Sequence, residues 1–96
     1  MLLDAPYKKS DIISLKLSSG EEIVARLEEE GTEYYSLKKP MVLIAGEKGL
    51  GLAPFMFSVS PDGKFSITKT STSCIAKTEV EIAKQYTAQT TGLAIV

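Results

Sequence analysis

The 96-residue chain has no histidine and one cysteine, Cys74. Without histidine, the commonest general base and the commonest zinc ligand are both missing. A single thiol cannot close an internal disulfide, so nothing implies an oxidising compartment. No apolar run approaches the roughly 20 residues that a membrane-spanning helix needs. The opening Met1-Leu2-Leu3-Asp4-Ala5-Pro6 is interrupted too early to read as a secretory leader, and the cytoplasm is the expected location. Neither sign of charge is in excess, with 11 basic residues against 12 acidic and a net charge of −1. Domains that wrap nucleic acid along a basic surface carry a clear lysine and arginine surplus. Any nucleic-acid site here is therefore local, or is assembled from small basic patches on several copies.

What is present is a succession of short alternating segments. Ile13, Leu15 and Leu17 alternate with Ser14, Lys16 and Ser18, the period of a half-buried strand. Gly20 supplies the turn, and Ile23, Ala25 and Leu27 continue as the second arm of a hairpin. Glu29 to Thr32 reads as a turn and Glu33 to Ile44 as a longer third strand. Lys39-Pro40 interrupts it, and because proline cannot donate to a ladder, a sharp bend or bulge is expected there. Ala45 to Gly49 reads as a loop, Leu50 to Ser60 as a fourth strand, and Ser60-Pro61-Asp62-Gly63 as a turn. Phe65 to Ile67 returns to the sheet, Thr68-Lys69-Thr70 makes a tight corner, and Thr72 to Ala76 forms a last short strand. The period then changes. Thr78 followed by Glu81 fits a capping box ahead of a helix from about 79 to 89, with Val80, Ile82, Ala83 and Tyr86 near one face. Gly92 ends it, and Leu93 to Val96 is an apolar tail.

A chain of this size makes one domain, which buries roughly 60–70% of its unfolded surface around one modest core. The expected fold is mostly β: a small, strongly bent, five-stranded antiparallel open barrel over about 11–77, with a short C-terminal helix. Barrels of the SH3, OB and Sm kinds all fit this pattern, and periodicity does not choose among them.

Local sequence does choose. Leu15-Lys16-Leu17-Ser18-Ser19-Gly20-Glu21-Glu22-Ile23-Val24-Ala25-Arg26-Leu27 resembles the first half of the Sm motif: a strand ending in leucine, two residues, a glycine, then hydrophobic, any, small, any, leucine. Tyr34-Tyr35-Ser36-Leu37 falls at the loop-then-leucine element, and Phe65 to Ile75 resembles the second motif of strand, tight corner, strand. The corner is similar to that of the bacterial host-factor Sm-like protein, with Lys69 at its lysine and Thr70 where it has histidine. Lys38-Lys39-Pro40, the glycine-rich loop, Pro54-Phe55 and Ile82 to Tyr86 resemble small Sm-like proteins of tailed cyanophages. The resemblance covers about residues 11 to 90. It departs in lacking the asparagine of RNA-binding members in the loop Gly31 to Tyr35, and in placing its helix last.

The resemblance implies a homo-oligomeric, non-enzymatic ring subunit in which the fourth strand of one copy pairs with the fifth of the next. On this footing Pro54, Phe55, Met56 and Phe57 fall at the ring interface. Single-stranded RNA would bind at the pore, with Tyr34 or Tyr35 as the stacking platform and Lys69 and Thr70 as polar contacts. The pair Lys38 and Lys39, with Lys8 and Lys9, would form a secondary basic track. The alternative implied function is a structural or protein-interaction ring that docks phage or host proteins without nucleic acid. Neither cofactor nor metal nor membrane is expected. Glu28-Glu29-Glu30 reads as a solvated turn, because consecutive residues converge poorly on one ion. Gly46 to Gly51 superficially resembles a phosphate loop but runs into a strand rather than a helix. Cys74, in an apolar strand with no histidine anywhere, reads as a buried structural residue.

Overall fold

The computed structural model of the chain describes residues 6–91. The first alternating segment forms β1 (Ile12–Leu17), with Ile13, Leu15 and Leu17 buried at 0%, 0% and 7% exposure. Gly20 turns the chain at φ +109°, a value glycine reaches without a Cβ clash, and its N–H donates to the Leu17 carbonyl at 2.9 Å. The chain returns as β2 (Glu22–Glu30), antiparallel to β1 with Leu15 opposite Ile23.

After a short turn, β3 (Tyr34–Gly46) pairs antiparallel with β2 and bends where proline required it. Val24 pairs with Met41 and Arg26 with Lys38, so Ala25 alone faces both Lys39 and Pro40. This is a β-bulge, and Lys39 absorbs it at φ +48°. A second register shift between Leu27 and Glu29 sets Glu28 out of the ladder. The acidic triplet therefore lies in β2 itself and not in the following turn.

β3 runs two residues past its expected end, and the loop shrinks to Glu47-Lys48 before β4 (Gly49–Pro54), with Gly49 at φ +119°. β4 stops at Pro54, six residues short of the fourth strand read from the sequence. One further bond forms, from Phe55 N–H to the Pro40 carbonyl at 3.1 Å. Beyond it β3 has turned away at its bulge, and the departing chain has no partner to follow. The chain rejoins β3 as β5 (Phe65–Thr68), opposite Leu37 to Tyr34, so β4 and β5 lie end to end along one side of β3. A 3₁₀ turn at Lys69–Ser71 makes the expected corner, and β6 (Thr72–Lys77) pairs antiparallel with β1.

The strand order is β4-β3-β2-β1-β6, antiparallel throughout, with β5 on β3, and the sheet is not closed. One face carries the main core, in which Ile13, Leu15, Ile23, Leu27, Tyr35 and Leu37 meet, with Phe55, Phe65, Ile67 and Ile75 packed around them. Val24 points to the other face and is also fully buried. That face is where α1 (Val80–Thr91) lies, with Tyr86 only 1% exposed.

The helix begins differently from expectation. Glu79, not Thr78, caps it: its two carboxylate oxygens accept the N–H groups of Glu81 and Ile82 at 2.9 and 3.0 Å. The Thr78 hydroxyl is held by Ser14 Oγ at 2.8 Å, which ties the approach to α1 onto β1. Cys74 is exposed, contrary to its reading as buried. The register explains this: Cys74 stands opposite Lys16 on the outward side, and it is Ile75, opposite Leu15, that turns to the core. The apolar tail at 92–96 lies outside the described residues. No helix among the described residues is long and apolar enough to cross a membrane.

Candidate functional site

The residues expected to contact RNA sit where the β2–β3 turn meets the corner after β5. Tyr34 and Tyr35 are neighbours in a strand and so face opposite ways. Tyr35 is core at 7% exposure, and Tyr34, 51% exposed, pairs with Thr68 on the solvent side. Thr70 is exposed at the corner. Lys69 is engaged within the chain: its Nζ lies 2.7 Å from Glu30 Oε2 and 5.2 Å from the centre of the Tyr35 ring. The Tyr7 hydroxyl donates to the other Glu30 oxygen at 3.0 Å.

These groups tune one another. The hydrogen bond from Lys69 holds the Glu30 carboxyl below the usual carboxylate range, with Tyr7 adding to the effect. Burial, then the bond to Glu30, pushes the Tyr7 phenol above its ordinary value. The cluster is a satisfied latch that ties the chain's start, the end of β2 and the corner together. Tyr7 and Glu30 were not expected here, and only the fold brings them to Lys69.

Lys38 and Lys39 are held by different partners within the chain. Lys38 stands 3.9 Å from Glu28, while Lys39 donates to the Thr90 carbonyl at 2.8 Å and lies 3.8 Å from Asp62. The second of these places a cation on the last turn of α1, where the helix dipole favours it. Lys8 and Lys9 are exposed. Among the described residues, no three of His, Cys, Asp and Glu are grouped as metal ligands.

The residues assigned to a ring interface divide. Pro54 ends β4 and is exposed, and Phe55 packs against the core. Met56 and Phe57 lie beyond the strand, in the connection to β5, at 43% and 86% exposure. An interface made by that strand therefore ends at Pro54, and the two apolar side chains stand beside it.

The sheet's two outer edges differ. Thr78 N–H donates to the Ile12 carbonyl at 3.0 Å, and bonded and non-bonded positions alternate along an antiparallel pair. The backbone groups of Ile75 and Lys77 therefore face away from β1, and among the described residues no hydrogen bond reaches them. At the opposite edge, the two-residue turn makes Gly46 and Gly49 the bonded closing pair, which directs the backbone of Leu50 and Leu52 outward. The bond from Phe55 to Pro40 keeps the same phase. Here α1 intervenes: the Gln85 and Gln89 side-chain amides donate to the Leu50 and Leu52 carbonyls at 3.3 and 3.2 Å.

Tyr86 secures the helix between those glutamines. Its hydroxyl lies 3.0 and 2.9 Å from the carbonyl oxygens of Lys38 and Lys39, which the bulge turns toward it, and burial pushes its pKa up to about 12. Sequence reasoning missed Gln85 and Gln89, although two glutamines four apart on one helix were a visible signal. No protein-family model and no curated protein matches the chain.

Proposed function

We propose that the chain is a non-enzymatic assembly module that builds homo-oligomeric rings through the open edges of its sheet, serving as a structural or protein-interaction component. The observation that carries this reading is the β6 edge, where among the described residues nothing pairs with the outward N–H and C=O groups of Ile75 and Lys77, along a strand with no proline to protect it. Such an edge is a template for another strand. Pairing β6 of one copy with β4 of the next is a heterologous contact, which closes into a ring when the rotation allows. The only charged side chain on either strand is Lys77, so like charges do not oppose the pairing. The Sm-like resemblance likewise implies ring closure by strand pairing between copies, there between the fourth and fifth strands.

RNA binding at the pore is the second reading, and Tyr34 supports it: a half-exposed aromatic beside the corner is a stacking platform. Against it stands Lys69, whose charge a phosphate would have to win from Glu30. The assembly reading is tested by light scattering of the intact chain over a concentration series. It predicts a defined oligomer whose population rises with concentration, and a monomer at every concentration contradicts it.

A further inference from the structure

We infer that α1 is a displaceable cover for the β4 edge, so that ring assembly is gated by the chain's own C-terminal helix; this rests on the assembly reading above. Gln85 and Gln89 stand four residues apart on α1, a rise of about 6 Å. Leu50 and Leu52 stand two apart on β4, about 6.6 Å. The match lets one helix face meet two successive outward carbonyls with two side-chain amides. Those amides occupy the place of the backbone donors that a neighbouring strand would bring.

The cover is built to be exchanged. Both bonds, at 3.3 and 3.2 Å, are long and exposed to water. They serve only the acceptors of β4, and among the described residues nothing accepts from the outward N–H groups of Leu50 and Leu52. An incoming β6 supplies donors and acceptors together, from Ile75 and Lys77 at the same two-residue spacing. The helix is meanwhile held elsewhere, by Tyr86 on the Lys38 and Lys39 carbonyls and by Lys39 on the Thr90 carbonyl. Its grip on the edge is therefore separable from its attachment to the sheet. A helix with this arrangement keeps isolated copies from pairing indiscriminately and yields when a second copy arrives.

The test compares the wild-type chain with the double variant Gln85→Ala/Gln89→Ala in light scattering over the same concentration range. Far-UV circular dichroism and thermal unfolding establish that α1 stays formed and docked. Loss of two exposed bonds from the competing helix predicts assembly at about tenfold lower concentration. The variant Gln85→Glu/Gln89→Glu, which sets carboxylates against the carbonyls, shifts assembly the same way and serves if the alanine form folds poorly. Assembly at an unchanged or higher concentration overturns the gating role and leaves the assembly reading standing. No assembly of wild type or variants overturns both.

Discussion

Lys69 Nζ lies 2.7 Å from Glu30 Oε2, joining the tight corner after β5 to the last residue of β2, 39 positions earlier in the chain. The lysine that the Sm-like resemblance assigns to a ligand is thus occupied by a carboxylate of the same molecule. The pair is partly exposed, at 31% and 38%, so its contribution belongs to the modest range of solvent-screened ion pairs. Stacking over Tyr35 adds to it.

Replacing Lys69 with alanine is expected to cost about 1 kcal/mol of stability at neutral pH, read from urea denaturation midpoints. The cost depends on pH. The folded-state pKa of Glu30 is depressed, so its stabilisation is complete above the ordinary carboxylate pKa, about 4.3, and disappears as pH falls through the folded value. The gap between wild type and variant should therefore be widest at pH 7 and narrow steadily into the acid range. A gap that stays constant with pH would show that the pair does not act through this charge.

Tyr86→Phe removes the hydroxyl from two carbonyls at the β3 bulge and leaves them without that donor. A loss of about 1–3 kcal/mol is expected. Because the same contact docks α1, amide exchange across Val80 to Thr91 should accelerate more than exchange in β1 and β2. Uniform acceleration would mean that the helix is held mainly by other contacts.

Oligo-uridine carrying a fluorescent label distinguishes the two functional readings. The assembly reading predicts no salt-sensitive retention by the chain and no effect of Tyr34→Ala on what little is retained. Retention that falls steeply with salt and drops on Tyr34→Ala would establish the RNA reading instead.

Much of the sheet was legible because its signals are local. Alternation around Ile13, Leu15 and Leu17, the turn at Gly20, the bend at Pro40 and the corner at Lys69 all follow from neighbouring residues. What was not legible depends on register between distant segments. Cys74 is exposed because it pairs with Lys16, and Thr78 does not cap the helix because Ser14, 64 residues away, holds its hydroxyl. The early end of β4 has the same origin: Phe55, Met56 and Phe57 extend the apolar pattern, but the strand they would join has already turned at Lys39. At the candidate site, residue types were readable at Tyr34 and Lys69. Their partners, Thr68 and Glu30, were not.

The most direct test of edge-mediated assembly is light scattering on Lys77→Pro, read beside the wild type at matched concentrations. Lys77 directs its N–H away from β1, so proline there removes a donor from the β6 edge without taking a bond from the β1–β6 ladder. Its side chain gives up only a 3.9 Å approach to Asp11, and thermal unfolding should change little. The account predicts that wild type forms a defined oligomer and that the folded Lys77→Pro chain remains monomeric at concentrations where wild type assembles. A folded variant that assembles as readily as wild type would contradict it.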